Sequence, residues 1–189
     1  MGTMNVWTIG HSTHSGDAFA ALLAVHEIEQ VADVRTVPKS RRHPHFHAEA
    51  LARDLAARGV AYAHLPRLGG WRPARSDSPN GAWRNTSFRG YADYAMSEEF
   101  ATGLAQLREL AATRRTAMMC SEALWWRCHR RLIADRLVAA GDTVCHISSG
   151  ARASTHRLTS FAVVGLNRQI TYPGSAQAPA THEGLFTDP

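Results

Sequence analysis

Lysine is almost missing from this chain: Lys39 is the only one, and arginine carries the remaining positive charge. The arginines are spread along the sequence rather than gathered in one basic run, so no basic tail presents itself. The formal net charge of +5 and the pI near 9.6 still invite an acidic partner, of which nucleic acid is the commonest. An arginine bias beside abundant alanine also follows from gene base composition, so charge alone decides little. Cysteine is scarce too. Cys120, Cys128 and Cys145 are too few for a closed disulfide framework and have no zinc-ribbon spacing, so a reducing cytoplasm is the expected compartment. No apolar run approaches the roughly 20 residues that span a bilayer, and no membrane is expected as a partner. The N-terminus lacks a basic segment followed by an apolar one, so no signal peptide is expected. Internal repeats, a G-x-G-x-x-G fingerprint and a Walker P-loop are absent as well.

What is present is a chain of 189 residues, 44% hydrophobic, long enough for one full core and too short for two ordinary domains. Short β-prone runs alternate with helical periodicity. Strands are expected at 5–9, 30–35, 60–65, 116–120 and 143–147. Helices are expected after the first loop with Ser15 or Asp17 as the cap, at 48–58 with Gly59 as the stop, at 98–113, and from Trp126 to Ala140. The long connection from Pro66 to about Ser97 reads as a lid or a wall of a site. Residues 158–164 and 169–172 suggest a last hairpin. The expected architecture is therefore α/β: a single domain over 5–147 with a mostly parallel sheet of about five strands and helices on both faces. A C-terminal extension over 148–189 follows, partly β and poorly ordered at its end.

In such a sheet the residues just past each strand gather along one rim. His11 and Ser12 follow the first strand, Arg35 to Arg41 the second, Leu68-Gly69-Gly70 the third, and Cys120-Ser121-Glu122 the fourth. The fourth strand opens the stretch that organises the rest, an apolar run that changes to thiol, carboxylate, imidazole and guanidinium by Arg130.

Taken together, Thr8-Ile9-Gly10-His11-Ser12, Asp33-Val34-Arg35, Pro38-Lys39-Ser40-Arg41, Leu68-Gly69-Gly70, Phe88-Arg89-Gly90-Tyr91, Met119-Cys120-Ser121-Glu122 and Cys128-His129-Arg130 are a familiar series. In order and spacing it resembles the domain of unknown function 488 family, from about Val6 to Ile147. The resemblance implies an α/β fold and sharpens which residues matter, while leaving the chemistry open.

Four chemistries remain open on these residues. In the first, an enzyme of hydrolase type or a binding protein handles a phosphate-bearing ligand, a nucleotide or a nucleic acid. Arg35, Arg41 and Arg130 hold the anion, helped by backbone N–H groups after Gly10. His11, Ser12, Ser40 and Tyr91 complete the rim. Glu122, beside two tryptophans, is expected to be desolvated and to act as general acid or base. Asp33 orients Arg35 or serves as a second carboxylate. In the second, Cys120 is a nucleophile near a helix N-terminus, although the C-x5-R pattern fails because Arg127 stands one residue too far. In the third, a metal site is drawn from Cys120, Cys128 and His129 with His11 or Glu122. Adjacent helical side chains diverge by about 100°, so Cys128 is assigned to helix packing and Cys120 and His129 are the ligands favoured. The alternating His43, His45 and His47 are not favoured as ligands. In the fourth, a non-enzymatic nucleic-acid module stacks Trp71, Trp83 and Tyr91 on unpaired bases. No cofactor is indicated.

Overall fold

The computed structural model describes residues 2–148, 150 and 152–174. Five parallel strands form its centre: β1 (Asn5–Gly10), β2 (Gln30–Asp33), β3 (Ala61–His64), β4 (Thr116–Cys120) and β5 (Thr143–Ile147). Every residue of β2 and β4 is buried, as expected of strands covered on both faces. A sixth strand, β6 (Ala153–Thr155), runs antiparallel beside β5, giving the order β3-β2-β4-β1-β5-β6. The sequence suggested about five strands, because β6 is three exposed residues without an apolar pattern.

The helices divide between the two faces. On one lie α1 (Gly16–Val25) and α2 (Ala48–Ala57), burying Phe19, Leu23, Leu51 and Leu55 against Ile9, Ala117 and Met119. On the other lie α3 (Thr86–Tyr94), α4 (Glu98–Thr113) and α5 (Arg130–Ala139). They bury Tyr91, Phe100, Leu107, Leu132 and Ile133 against Val6, Met118 and Cys120. The period-two alternation along β4 thus feeds both cores. Local chemistry sets the helix starts: Ser15 Oγ accepts from Ala18 N, and Ser97 Oγ accepts from Phe100 N with Glu98 and Glu99 in the first turn of α4.

The topology places the crevice. From β1 through β3 the chain winds outward with helices on one face; from β3 through β5 it winds back with helices on the other. The loops leaving β1 and β2 therefore part from the loop leaving β4, which lies between them. A crevice opens at their carboxyl ends, the switch point of the sheet.

Two expectations change. The connection after β3 is not a bare loop: it contains α3, capped by Asn85 Oδ1, which accepts from Ser87 N and Phe88 N. Gly90 hides this helix in the sequence, yet its bare Cα is what lets the backbone of 72–74 run alongside. The helix expected from Trp126 begins only at Arg130. A 3₁₀ turn, Trp125–Arg127, comes first, and Cys128 is extended with φ −122° and ψ 150°.

Beyond β5, the short hairpin β7 (Val163–Val164) and β8 (Ile170–Thr171) forms as the sequence suggested. Ile170 and Tyr172 are buried in the same core as α5. Asp135 on α5 fastens this segment, accepting from His156 Nε2 (2.8 Å), Thr159 N (2.9 Å) and Tyr172 Oη (2.8 Å). The poorly ordered end expected of the extension lies, from residue 175, outside the described residues. Among the described residues no helix is long and apolar enough to cross a membrane.

Candidate functional site

The crevice is a cavity of about 480 Å³. All four rim clusters reach it: His11 after β1; Arg35, Lys39 and Ser40 after β2; Gly70 after β3; Cys120 to Glu122 after β4. Its depth is set by close backbone approach. Gly10 pairs in register with Cys120, and a Cβ on Gly10 would collide with the Glu122 carbonyl. Only glycine lets the loop after Cys120 fold over β1. His11 N and Ser12 N donate to Cys120 O (2.9 Å) and Ser121 O (3.0 Å), which stitches that approach. These two N–H groups are therefore spent and contribute nothing to an anion cradle after Gly10.

On the floor, Cys120, Cys128 and His129 each offer a ligand atom, all within 4.8 Å of one another. Cys128 is brought in by its extended backbone, which breaks the helical divergence assumed from sequence. His129 Nε2 lies 3.0 Å from Val34 O and donates to it, so the lone pair is on Nδ1, 3.6 Å from Cys128 Sγ. Tyr91 holds the ring from the side at a centroid distance of 5.1 Å, and Tyr91 Oη donates to Leu68 O at 2.8 Å. Burial pushes the Cys128 thiol up, but a hydrogen bond from Cys120 and the Arg130 guanidinium more than offset this and bring it down to about 6. Cys120 moves the other way, raised by that same hydrogen bond and then by burial.

Beside the thiols stands a fixed cation. Asp33, fully buried, accepts from Arg35 N (3.0 Å), Nε (2.9 Å) and Nη2 (2.6 Å), and from Tyr62 Oη (2.8 Å). Arg35 Nη1 donates to His11 Nε2 (3.2 Å), while His11 Nδ1 donates to Ser12 O (3.0 Å). Burial, then the Arg35 charge, hold the His11 imidazole down at about 4, so the ring is neutral at neutral pH. Asp33 is thus the orienter of Arg35; with every site occupied it is no second free carboxylate.

Several expected roles change with the geometry. Arg130 is wholly buried and is not a rim clamp. Its Nε donates to Cys128 Sγ (3.4 Å) and its Nη2 to Glu122 O, so it shapes the loop from behind. Glu122 is exposed at the cavity mouth and accepts from Leu124 N at 3.2 Å, so the desolvation expected from its tryptophan neighbours is missing. Those rings turn elsewhere: Trp125 stacks on His146 at 3.9 Å, and Trp126 is exposed. Ser12 and Arg41 lie outside the lining, and Ser40 Oγ accepts from His43 N at 3.1 Å. His45 and His47 face the carbonyls of His14 and Ser40, not one another's lone pairs. Trp83 is buried, 4.9 Å from Phe88 between ring centroids, and offers no stacking face to a base.

Sequence reasoning missed Arg127 as a cavity residue and set Cys128 aside as helix packing. The signal for Cys128 was two thiols and an imidazole within ten residues, obscured by the helical assumption. Gly70 is legible only in three dimensions: a Cβ there would stand 2.6 Å from His129 Nδ1. Gly70→Ala is expected to swing the imidazole off Val34 O while leaving the fold intact. In NMR spectra the His129 ring resonances should shift strongly, with the unfolding midpoint nearly unchanged; unmoved His129 signals would contradict this packing.

A family model described as a domain of unknown function, DUF488, matches residues 15–137. No curated protein and no solved structure matches the chain.

Proposed function

The chain belongs to the DUF488 family, and from that premise we propose that its rim cavity binds a small phosphate-bearing ligand. One observation carries this reading: cations from separate elements border a single concave cavity. Arg35 stands at the end of β2, Lys39 in the loop beyond, and Arg127 in the turn before α5. Lys39 and Arg127 form no ion pair among the described residues, whereas Arg58, Arg75 and Arg115 elsewhere on the surface each have a carboxylate. Arg35 is pre-oriented by Asp33 and His11, so little ordering entropy is lost when it meets an anion. The cavity volume of about 480 Å³ lies within the roughly 300–1,000 Å³ of small-molecule sites, which favours a metabolite over a nucleic-acid groove. Trp71, 78% exposed at the mouth, offers a ring face to an organic part of such a ligand.

The test is calorimetric titration with inorganic pyrophosphate and with adenosine diphosphate. Removing both mouth charges, Lys39→Ala with Arg127→Ala, should weaken pyrophosphate on the order of tenfold, about 1.4 kcal/mol. The fold is untouched because both side chains are exposed. Unchanged affinity in the double variant would end this reading. Tight binding of single-stranded oligonucleotide with a steep salt slope, and none of pyrophosphate, would replace it with a nucleic-acid surface.

A further inference from the structure

We propose that Cys120, Cys128 and His129 form a binding site for one thiophilic divalent cation of the zinc class, with a fourth coordination position open to the cavity. The distances suit it. In a tetrahedron with Zn–S about 2.3 Å and Zn–N about 2.05 Å, a sulfur and a nitrogen ligand stand about 3.6 Å apart. Cys128 Sγ and His129 Nδ1 are 3.6 Å apart, and Cys120 Sγ completes a triangle no wider than 4.8 Å. The donor set of two thiolates and one imidazole is soft enough to select zinc over magnesium or calcium, which take oxygen ligands.

The surrounding shell is already built for the ion. A histidine that ligates through one nitrogen almost always gives its other N–H to a carbonyl or carboxylate, and His129 Nε2 does so to Val34 O. Gly70 leaves room at Nδ1, and Tyr91 braces the ring. Arg130 Nε donates to Cys128 Sγ, a contact that stabilises a thiolate and leaves the sulfur's other lone pairs for a metal. Two thiolates and a dication sum to zero charge, which resolves the cost of burying sulfur anions under the sheet rim. Three protein ligands with one open side is the pattern of catalytic zinc, since structural sites close with four. The open side here is the cavity bordered by Arg35, Lys39 and Arg127. A ligand oxygen would replace water on the ion there, a step that rests on the phosphate-ligand reading; the metal site itself does not.

Reduced, chelator-treated protein is dialysed against zinc, and against cobalt as a spectroscopic substitute. One equivalent should bind, with intense sulfur-to-cobalt charge-transfer absorption and tetrahedral ligand-field bands. Cys128→Ser and His129→Gln should each lose the ion at least a hundredfold while circular dichroism reports an intact fold. Cys145→Ser, which removes a half-buried thiol on β5 away from the donors, should bind as the parent does. Should either ligand variant unfold, the cobalt spectrum of the parent still reports the count of sulfur ligands. Pyrophosphate added to the cobalt protein should shift the ligand-field bands. If the ion binds and pyrophosphate neither shifts the bands nor binds by calorimetry, the site holds and the phosphate reading fails. No binding by the reduced parent, or cobalt bound without sulfur ligation, overturns the site. An oxidised Cys120–Cys128 pair that takes up no metal after reduction would instead mark a redox dithiol.

Discussion

Asp33→Ala will cost roughly 3–5 kcal/mol of folding stability, the penalty for leaving a buried guanidinium without its anion. Asp33 is fully buried and Arg35 is 6% exposed, and four donor groups meet the one carboxylate. Alanine orphans them all at once. For a chain of this size the unfolding midpoint should drop by about 10 °C, read by calorimetry. Removing the charge as well, in Asp33→Ala with Arg35→Met, should recover much of the loss, because the apolar pair leaves no buried ion. If the double variant is no more stable than the single one, the pair is not the cause. The same double variant should also lose pyrophosphate binding despite its recovered stability, which separates what Arg35 does for the ligand from what Asp33 does for the fold.

Asp135→Ala should detach the C-terminal segment without melting the sheet. Its two oxygens satisfy three buried donors that all come from 156–172, and no other described acceptor replaces them. Each orphaned donor costs about 1–3 kcal/mol, so the segment's docking loses several kcal/mol. The effect spreads to the site by one route. His156 touches His146, and His146 stacks under Trp125 in the turn that leads to Cys128. Hydrogen exchange should therefore rise across 153–172 and at 125–128, while β2 and β4 stay protected. Unaltered exchange in 153–172 would show that the apolar contacts of Ile170 and Tyr172 alone secure the segment.

Much of the fold was readable in the chain. The helix over 98–113 and the strands at 116–120 and 143–147 match their expected bounds, because periodicity, a serine cap and short apolar runs agree there. The convergence of four post-strand clusters on one rim also follows from strand–helix alternation alone. What stayed hidden depends on contacts that sequence spacing does not encode. Helix α3 carries Gly90 in its middle, a residue chosen for backbone approach at the expense of helical propensity. Cys128 looked like the first turn of a helix because Leu132 and Ile133 extend its periodicity backward. One extended residue changes which way its thiol points. Glu122 and Arg130 exchanged their expected surroundings for a similar reason: the loop folds over Gly10, turning the glutamate outward and drawing the arginine beneath. Charge type was legible in both; depth was not.

The most direct measurement is a crystal structure of the zinc-loaded protein soaked in pyrophosphate, with anomalous data collected at the zinc edge. The account predicts one anomalous peak bound by Cys120, Cys128 and His129, and phosphate density in the same cavity within hydrogen-bond reach of Arg35. Zinc on other side chains, or phosphate elsewhere on the surface with the cavity filled by solvent alone, would contradict it.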